Sequence, residues 1–194
     1  MHRRQLLRTL VAAAVSVPTG LLLLPRKARA IGGTLPELEA PAPGFRLDGV
    51  VPRNGKAVAA TLSLSDFAGQ WLVLYFYPRD FTGGCTLEAR GFQRDLEAYR
   101  SAHAAVVGVS ADDPDSHASF CSEEGLAFPL LSDPGGQVSR RYGSWIPPFS
   151  QRHTFLIDPA GVLKARWLGV RPASHSAEVL TELRHQQSEL SRPA

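Results

Sequence analysis

A proline, a threonine and a cysteine stand at fixed spacing in the segment PRDFTGGC, residues 78 to 85. The segment follows a continuous apolar run and precedes helix-forming residues, which predicts that Cys85 lies in the first turn of a helix. The first N–H groups of a helix have no intrahelical partner, and they carry the positive end of the helix dipole. Because a cysteine reacts as its thiolate, this position indicates a reactive thiol or an anion site.

Four neighbours of Cys85 bear on that chemistry. Gly83 and Gly84 let the backbone approach a ligand closely. The hydroxyl of Thr82, three residues before the thiol, reaches over the same turn and would hydrogen-bond an oxygen that the sulfur attacks. Pro78 fixes the exit of the preceding strand and removes a competing N–H group.

The second of the two cysteines is Cys121, in DPDSHASFCSEEG. Two cysteines in a compartment that permits disulfides are most simply interpreted as a structural bridge. A small buried core residue is the other plain interpretation of Cys121. The residues alone leave these interpretations open.

Residues 1 to 30 have the layout of a signal peptide, with a basic start, an apolar stretch over residues 10 to 24 and Ala-Arg-Ala at residues 28 to 30. The arginine pair at residues 3 and 4 resembles a twin-arginine leader. An uncleaved membrane anchor is the alternative, although the apolar stretch is shorter than the roughly 20 residues a bilayer needs. We expect export to a periplasm or a thylakoid lumen, with no stable membrane association after cleavage.

The net charge of +3 comes from this leader. It holds six of the 21 basic residues and no acidic one, so the rest of the chain carries 15 basic against 18 acidic side chains. No nucleic-acid partner is therefore expected.

A chain of 194 residues suits one domain. Residues 31 to 44, rich in proline, glycine and alanine, are expected to form a flexible tether to a domain over residues 45 to 190. That domain begins with a β-hairpin over residues 45 to 64. Buried strands then alternate with helices, and the order ends with strands 153–158 and 162–168, a hairpin, and a helix over 174–190. The order predicts an α/β, thioredoxin-like fold in which helices flank a central mixed β-sheet.

The spacing of Pro78, Thr82 and Cys85 matches the peroxiredoxin active-site pattern. The wider segments YFYPRDFTGGCTLEARGF, FPLLSDPGGQVSRRYG and RHTFLIDPAG resemble the peroxiredoxin Q group, also called bacterioferritin comigratory proteins. The resemblance covers about residues 41 to 187. It implies a monomeric thiol peroxidase that reduces hydrogen peroxide and organic hydroperoxides, uses no cofactor and is recycled by thioredoxin or an equivalent dithiol.

The resemblance also carries Pro78, Thr82, Cys85 and Arg152 into the catalytic set, with Gly84 among the substrate-binding residues. Arg152 would keep the thiolate ionised and stabilise charge as the peroxide O–O bond breaks. The plain alternative for Arg152 is a surface ion pair. Glu88, one turn after the thiol, either orients Arg152 or favours the start of the helix.

The chain departs from the common pattern of the group at two places. Gly83 stands where many members have proline, which should loosen the loop. Arg90 stands where many members carry a second cysteine, so a short-range disulfide is impossible. The resemblance therefore implies that Cys121 is the resolving cysteine. Because bridged Cα atoms lie within about 7 Å, a Cys85–Cys121 disulfide would require local unfolding.

Three other functions compete with this interpretation of the sequence. A thioredoxin-like disulfide reductase lacks its usual cysteine pair, since Thr86, Leu87 and Glu88 follow Cys85. A non-catalytic exported domain with a structural disulfide and a one-cysteine peroxidase with an idle Cys121 both remain as alternatives. The six histidines lack paired ligand spacing, so no metal site is expected.

Overall fold

The structure is a computed structural model that describes residues 29–30 and 32–191. In this part of the chain, strands and helices alternate. The strands are β1 (Arg29–Ala30), β2 (Gly33–Thr34), β3 (Arg46–Arg53), β4 (Lys56–Ser63), β5 (Trp71–Phe76), β6 (Ala104–Ser110), β7 (Leu130–Ser132), β8 (Trp145–Ile146), β9 (Phe149–Ser150), β10 (His153–Ile157) and β11 (Leu163–Leu168). The helices are the 3₁₀-helix η1 (Leu64–Phe67) and the α-helices α1 (Gly83–Ser101), α2 (Pro114–Glu124), α3 (Gln137–Arg141) and α4 (Pro172–Leu190).

Strand β5 is buried along its whole length because both of its faces are covered. Alternate side chains of a strand point to opposite faces. Val73 and Tyr75 accordingly pack in one apolar cluster, while Leu72 and Leu74 pack in another. This explains the uninterrupted apolar run in the sequence.

One sheet of seven strands, in the order β11-β10-β5-β6-β7-β3-β4, forms the centre of the protein. The pairs β5–β6 and β6–β7 are parallel, and the pairs β10–β11, β10–β5, β3–β7 and β3–β4 are antiparallel. Helices α1, α2 and α4 supply side chains to the cluster on one face, and α3 and η1 supply the other. The expected mixed sheet flanked by helices is confirmed.

The N-terminal hairpin β3–β4 turns at Asn54 and Gly55, which have φ angles of 50° and 75°. Positive φ at both central residues is typical of the tight turn that suits the twist of a hairpin. The hairpin extends the sheet through the pairing of β3 with β7.

The segment before the hairpin differs from the flexible tether expected over residues 31 to 44. The N–H of Glu39 donates to the carbonyl of Leu163 at 2.8 Å, and the N–H of Leu163 donates to the carbonyl of Ala40 at 2.9 Å. Leu35 and Ala42 are buried at 3% and 8% exposure. The segment is fixed because the start of the edge strand β11 offers it backbone partners and an apolar surface.

The leader expected over residues 1 to 30 lies outside the described residues, apart from the last two. Within the described residues, no helix is both long enough and apolar enough to cross a membrane.

Candidate active site

The loop between β5 and α1 brings Thr82 and Cys85 together. Helix α1 begins at Gly83, so Cys85 is its third residue and lies in its first turn. Thr82 takes the N-cap position with extended backbone angles, φ −89° and ψ 141°, but its side chain makes no capping bond. The hydroxyl is therefore free to point along the first turn toward the sulfur.

The sulfur of Cys85 accepts hydrogen bonds from two side chains. Thr82 Oγ1 lies 2.8 Å away and Nη2 of Arg152 lies 3.3 Å away. Cys85 itself is 1% exposed. A cation and a hydroxyl donor thus converge on one buried sulfur.

Gly84 provides the space in which Arg152 reaches the sulfur. A Cβ atom at position 84 would lie 2.7 Å from Nη2 of Arg152, which is closer than real contacts allow. A Cβ at Gly83 would meet nothing within 4 Å. The two adjacent glycines are therefore not equivalent, and only Gly84 is required by packing.

Glu88 holds Arg152 from the opposite side. Nη1 of Arg152 donates to Glu88 Oε2 at 3.0 Å, while Nη2 of the same guanidinium faces the sulfur of Cys85. Burial raises the pKa of Glu88 to about 7, and the charge of Arg152 opposes that shift. Glu88 and Arg152 therefore form a partly buried ion pair beside the sulfur.

His175 and Thr154 lie behind Glu88, and the sequence did not identify them. Nε2 of His175 lies 2.8 Å from Thr154 Oγ1 and 4.0 Å from Glu88 Oε1. Burial lowers the pKa of His175 to about 4. The sequence held one signal, since His175 shares a helical spacing with the core residues Val179 and Leu183.

Cys121 lies in α2, on a different helix from Cys85. It is 4% exposed, and both cysteines are free thiols. Helix α2 packs against β3, β4 and β7, whereas α1 packs against α4 and β6. Burial and, to a lesser extent, the charge of Asp80 raise the pKa of the Cys121 thiol to about 12. In this conformation Cys121 is therefore a buried, protonated thiol on a different helix from Cys85.

A second buried polar cluster was also missed. Asp80, in the loop before Thr82, contacts Tyr77, Ser116 and His117. Nothing in its local sequence distinguishes Asp80 from a solvated loop carboxylate.

Within the described residues, no group of three or more histidine, cysteine or acidic side chains is arranged to hold a metal ion.

Known proteins are similar to this chain in sequence and in fold. The model of the AhpC/TSA family matches residues 37–166. Peroxiredoxin Bcp of Xanthomonas campestris pv. campestris is 39% identical over 131 residues, which cover 63% of this chain and 81% of that protein. The chloroplastic peroxiredoxin Q of Populus jackii is 40% identical, over 62% of this chain and 58% of that protein.

A solved structure is also similar to this chain in fold and sequence. The bacterioferritin comigratory protein of Xanthomonas campestris, from a study of its alkyl peroxide reduction activity, aligns with a TM-score of 0.62 at 36% identity. The alignment covers 66% of this chain and 87% of that one. The sheet, the helix-borne cysteine and the matched family model agree, and the chain belongs to the AhpC/TSA family of peroxiredoxins, which are thiol peroxidases.

Proposed function

We propose that Cys85 is the peroxidatic cysteine of this peroxidase and that Cys121 resolves it. The thiolate of Cys85 attacks the terminal oxygen of a hydroperoxide, so an S–O bond forms as the O–O bond breaks. Two electrons pass from sulfur to the peroxide, and the leaving alkoxide or hydroxide takes up a proton. Cys85 becomes a sulfenic acid.

The observation that carries this assignment is the pair of donors on the sulfur. The guanidinium of Arg152 and the hydroxyl of Thr82 converge on Cys85 at 3.3 Å and 2.8 Å. Donors already directed at a site where negative charge moves from sulfur to oxygen stabilise that charge without reorganisation. Gly84 serves the substrate site by leaving room for Arg152, and Pro78 sets the direction in which the loop leaves β5.

In the second step the thiol of Cys121 attacks the sulfenic sulfur. Its S–H bond breaks, an S–S bond forms, and hydroxide leaves Cys85 with the proton as water. An external dithiol, of the thioredoxin kind, then reduces the disulfide through a mixed disulfide and is itself oxidised. Because both thiols are buried on separate helices, part of α1 or α2 must open before this step.

A one-cysteine cycle with an idle Cys121 is the second candidate. The observation that favours it is the burial and the raised pKa of Cys121, about 12. In that cycle an external thiol would reduce the sulfenic acid directly. The free state of both cysteines gives no support to a permanent structural bridge.

Thiol counting and intact mass separate the candidates. We expect one equivalent of hydrogen peroxide to remove both thiols and two hydrogens from the native chain. The Cys121→Ser variant should instead accumulate a sulfenic acid that can be trapped at Cys85, and the Cys85→Ser variant should not react. A native chain that keeps the Cys121 thiol through turnover would support the one-cysteine cycle, and a peroxide-inert native chain would end both proposals.

We also infer that the chain is exported and acts as a monomer on hydrogen peroxide and alkyl hydroperoxides. The leader-like composition of residues 1 to 30 supports export. The alkyl peroxide activity named for the Xanthomonas relative supports the second substrate class. Replacing the arginine pair at residues 3 and 4 by lysines should retain the protein inside the cell, and light scattering of the mature chain tests the monomer.

A further inference from the structure

Asp80 connects the segment that carries Cys85 to the helix that carries Cys121. Its side chain is buried, with Asp80 4% exposed. Oδ2 accepts hydrogen bonds from Ser116 Oγ at 2.8 Å and from Nδ1 of His117 at 2.9 Å, and both donors lie in the first turns of α2. Oδ1 accepts a third hydrogen bond, at 2.7 Å, from the hydroxyl of Tyr77, the residue that follows β5. One carboxylate thus links α2 to the loop that leads from β5 into α1.

The hydrogen bonds from Ser116 and His117 exist only while α2 lies against the loop. A disulfide brings its two sulfurs to about 2.0 Å and its Cα atoms within about 7 Å. The sulfur of Cys85 is held by Thr82 and Arg152, and Cys121 faces the core from a different helix. Opening the loop or the start of α2 therefore breaks the contacts of Asp80 before the disulfide can form.

We propose that Asp80 is a positioning residue that slows disulfide formation by holding α2 against the loop between β5 and α1. The inference rests on the proposed role of Cys121 as the resolving cysteine. Because resolution proceeds through the opened state, its rate follows the population of that state. Contacts made only in the closed state lower that population and lengthen the lifetime of the sulfenic acid.

Two further features also slow disulfide formation. The ring of Phe81 lies edge-on to the ring of Phe120, the neighbour of Cys121, with centroids 5.1 Å apart. The negative charge of Asp80 also disfavours the thiolate of Cys121. The closed state is thus protected against premature attack by Cys121.

The consequence is a competition at Cys85. While α2 is held, a second hydroperoxide can oxidise the sulfenic acid to a sulfinic acid, with transfer of one oxygen atom to sulfur and loss of water or alcohol. Weakening the Asp80 contacts should favour the disulfide in this competition. The strength of the Asp80 contacts then sets the peroxide dose at which the protein is inactivated.

Two serines of α2 provide a matched pair of variants. Ser116 donates to Asp80, whereas Ser119 is exposed and donates only to the carbonyl of Asp115 in its own helix. We expect Ser116→Ala to raise the rate of disulfide formation by roughly tenfold or more, since hydrogen bonds to charged groups are among the stronger ones. Ser119→Ala should match the parent. Both rates are measured by stopped-flow fluorescence and quenched mass spectrometry.

The split between the two steps is decisive. Sulfenic acid formation should be unchanged in both variants, and only Ser116→Ala should need more peroxide to accumulate sulfinic acid. If Ser116→Ala resolves no faster than Ser119→Ala, the inference about Asp80 is wrong while the two-cysteine cycle stands. If the parent forms no disulfide at all, the proposed role of Cys121 fails first. In a Cys121→Ser background, an effect of Ser116→Ala on sulfenic acid lifetime would also overturn the inference.

Discussion

Gly84 and Arg152 are packed so closely that a Cβ atom on the glycine would lie 2.7 Å from Nη2 of the arginine. The same nitrogen donates to the sulfur of Cys85. Any side chain at position 84 must therefore move the guanidinium, which is the flexible end of a long side chain. A substitution at position 84 should therefore displace the guanidinium of Arg152 more than it lowers the stability of the fold.

Gly84→Ala should slow peroxide reduction by roughly tenfold to a hundredfold in kcat/KM, because the cation leaves its place beside the sulfur. The melting temperature should change little. Gly83→Ala is the matched control, since no atom lies within 4 Å of its added Cβ. Equal losses in the two variants would show that loop flexibility, and not the place of Arg152, is what matters.

Thr82→Val should lower kcat/KM by roughly a hundredfold, which is the usual cost of removing one donor from an anion-stabilising site. The hydroxyl of Thr82 has one hydrogen and two acceptors in range, the sulfur of Cys85 at 2.8 Å and the carbonyl of Arg79 at 3.1 Å. Thr82→Ser keeps the hydroxyl and should retain most of the activity. Steady-state peroxide consumption measures both variants, and an active valine variant would exclude a role for the hydroxyl.

Arg152→Lys should lower kcat/KM by roughly a hundredfold or more while the positive charge is kept. A single ammonium group lacks the fork that reaches Glu88 and Cys85 at the same time. Arg94→Lys is the control, because Arg94 pairs with its neighbour Asp95 at the surface. Activity of the Arg152→Lys variant close to that of the control would mean that charge alone is sufficient.

Glu88 should give the free energy of unfolding a distinctive pH dependence. Its pKa is raised from 4.5 to about 7 in the folded state by burial. The folded state therefore keeps a proton that the unfolded state has lost, and this stabilisation is fully present below pH 4.5 and is lost as the pH rises through about 7. The difference in unfolding free energy between the parent and Glu88→Gln should fall by about 3 kcal/mol across that window.

Urea unfolding of both proteins between about pH 5 and pH 8 measures this difference. Comparing the pair is necessary because His175, with its pKa lowered to about 4, has the opposite dependence and destabilises the fold as the pH falls below its unfolded value. The histidine is present in both proteins, so its contribution cancels. A difference that stays constant with pH would contradict the raised pKa of Glu88.

Local pattern was sufficient to predict the strand β5, the helix α1 and the position of Cys85 in its first turn. Each depends on residues close together in sequence: a continuous apolar run, a proline, two glycines and a helical spacing. The fold class was also predictable, because alternating strands and helices have few ways to pack.

Contacts between residues that are distant in sequence could not be predicted from the residues alone. Arg152 reaches Cys85 because His153 pairs with Phe76 in the sheet, which places residue 152 beside the loop that follows β5. The sequence of neither strand determines the register in which two distant strands pair. Only the resemblance to a family therefore indicated Arg152. The same limit explains why Asp80 and His175 were missed, since their partners are distant in sequence.

The segment that pairs with the start of β11 protects an exposed edge of the sheet. β11 is the last strand on its side, and its residue Leu163 exchanges backbone hydrogen bonds with Glu39 and Ala40. A chain shortened to begin at Arg46 would leave those groups open and uncover the apolar surface beneath Leu35 and Ala42. Unpaired strand edges of this kind template association with other chains. The segment therefore guards the protein against aggregation, in addition to any role in linking the domain to a leader.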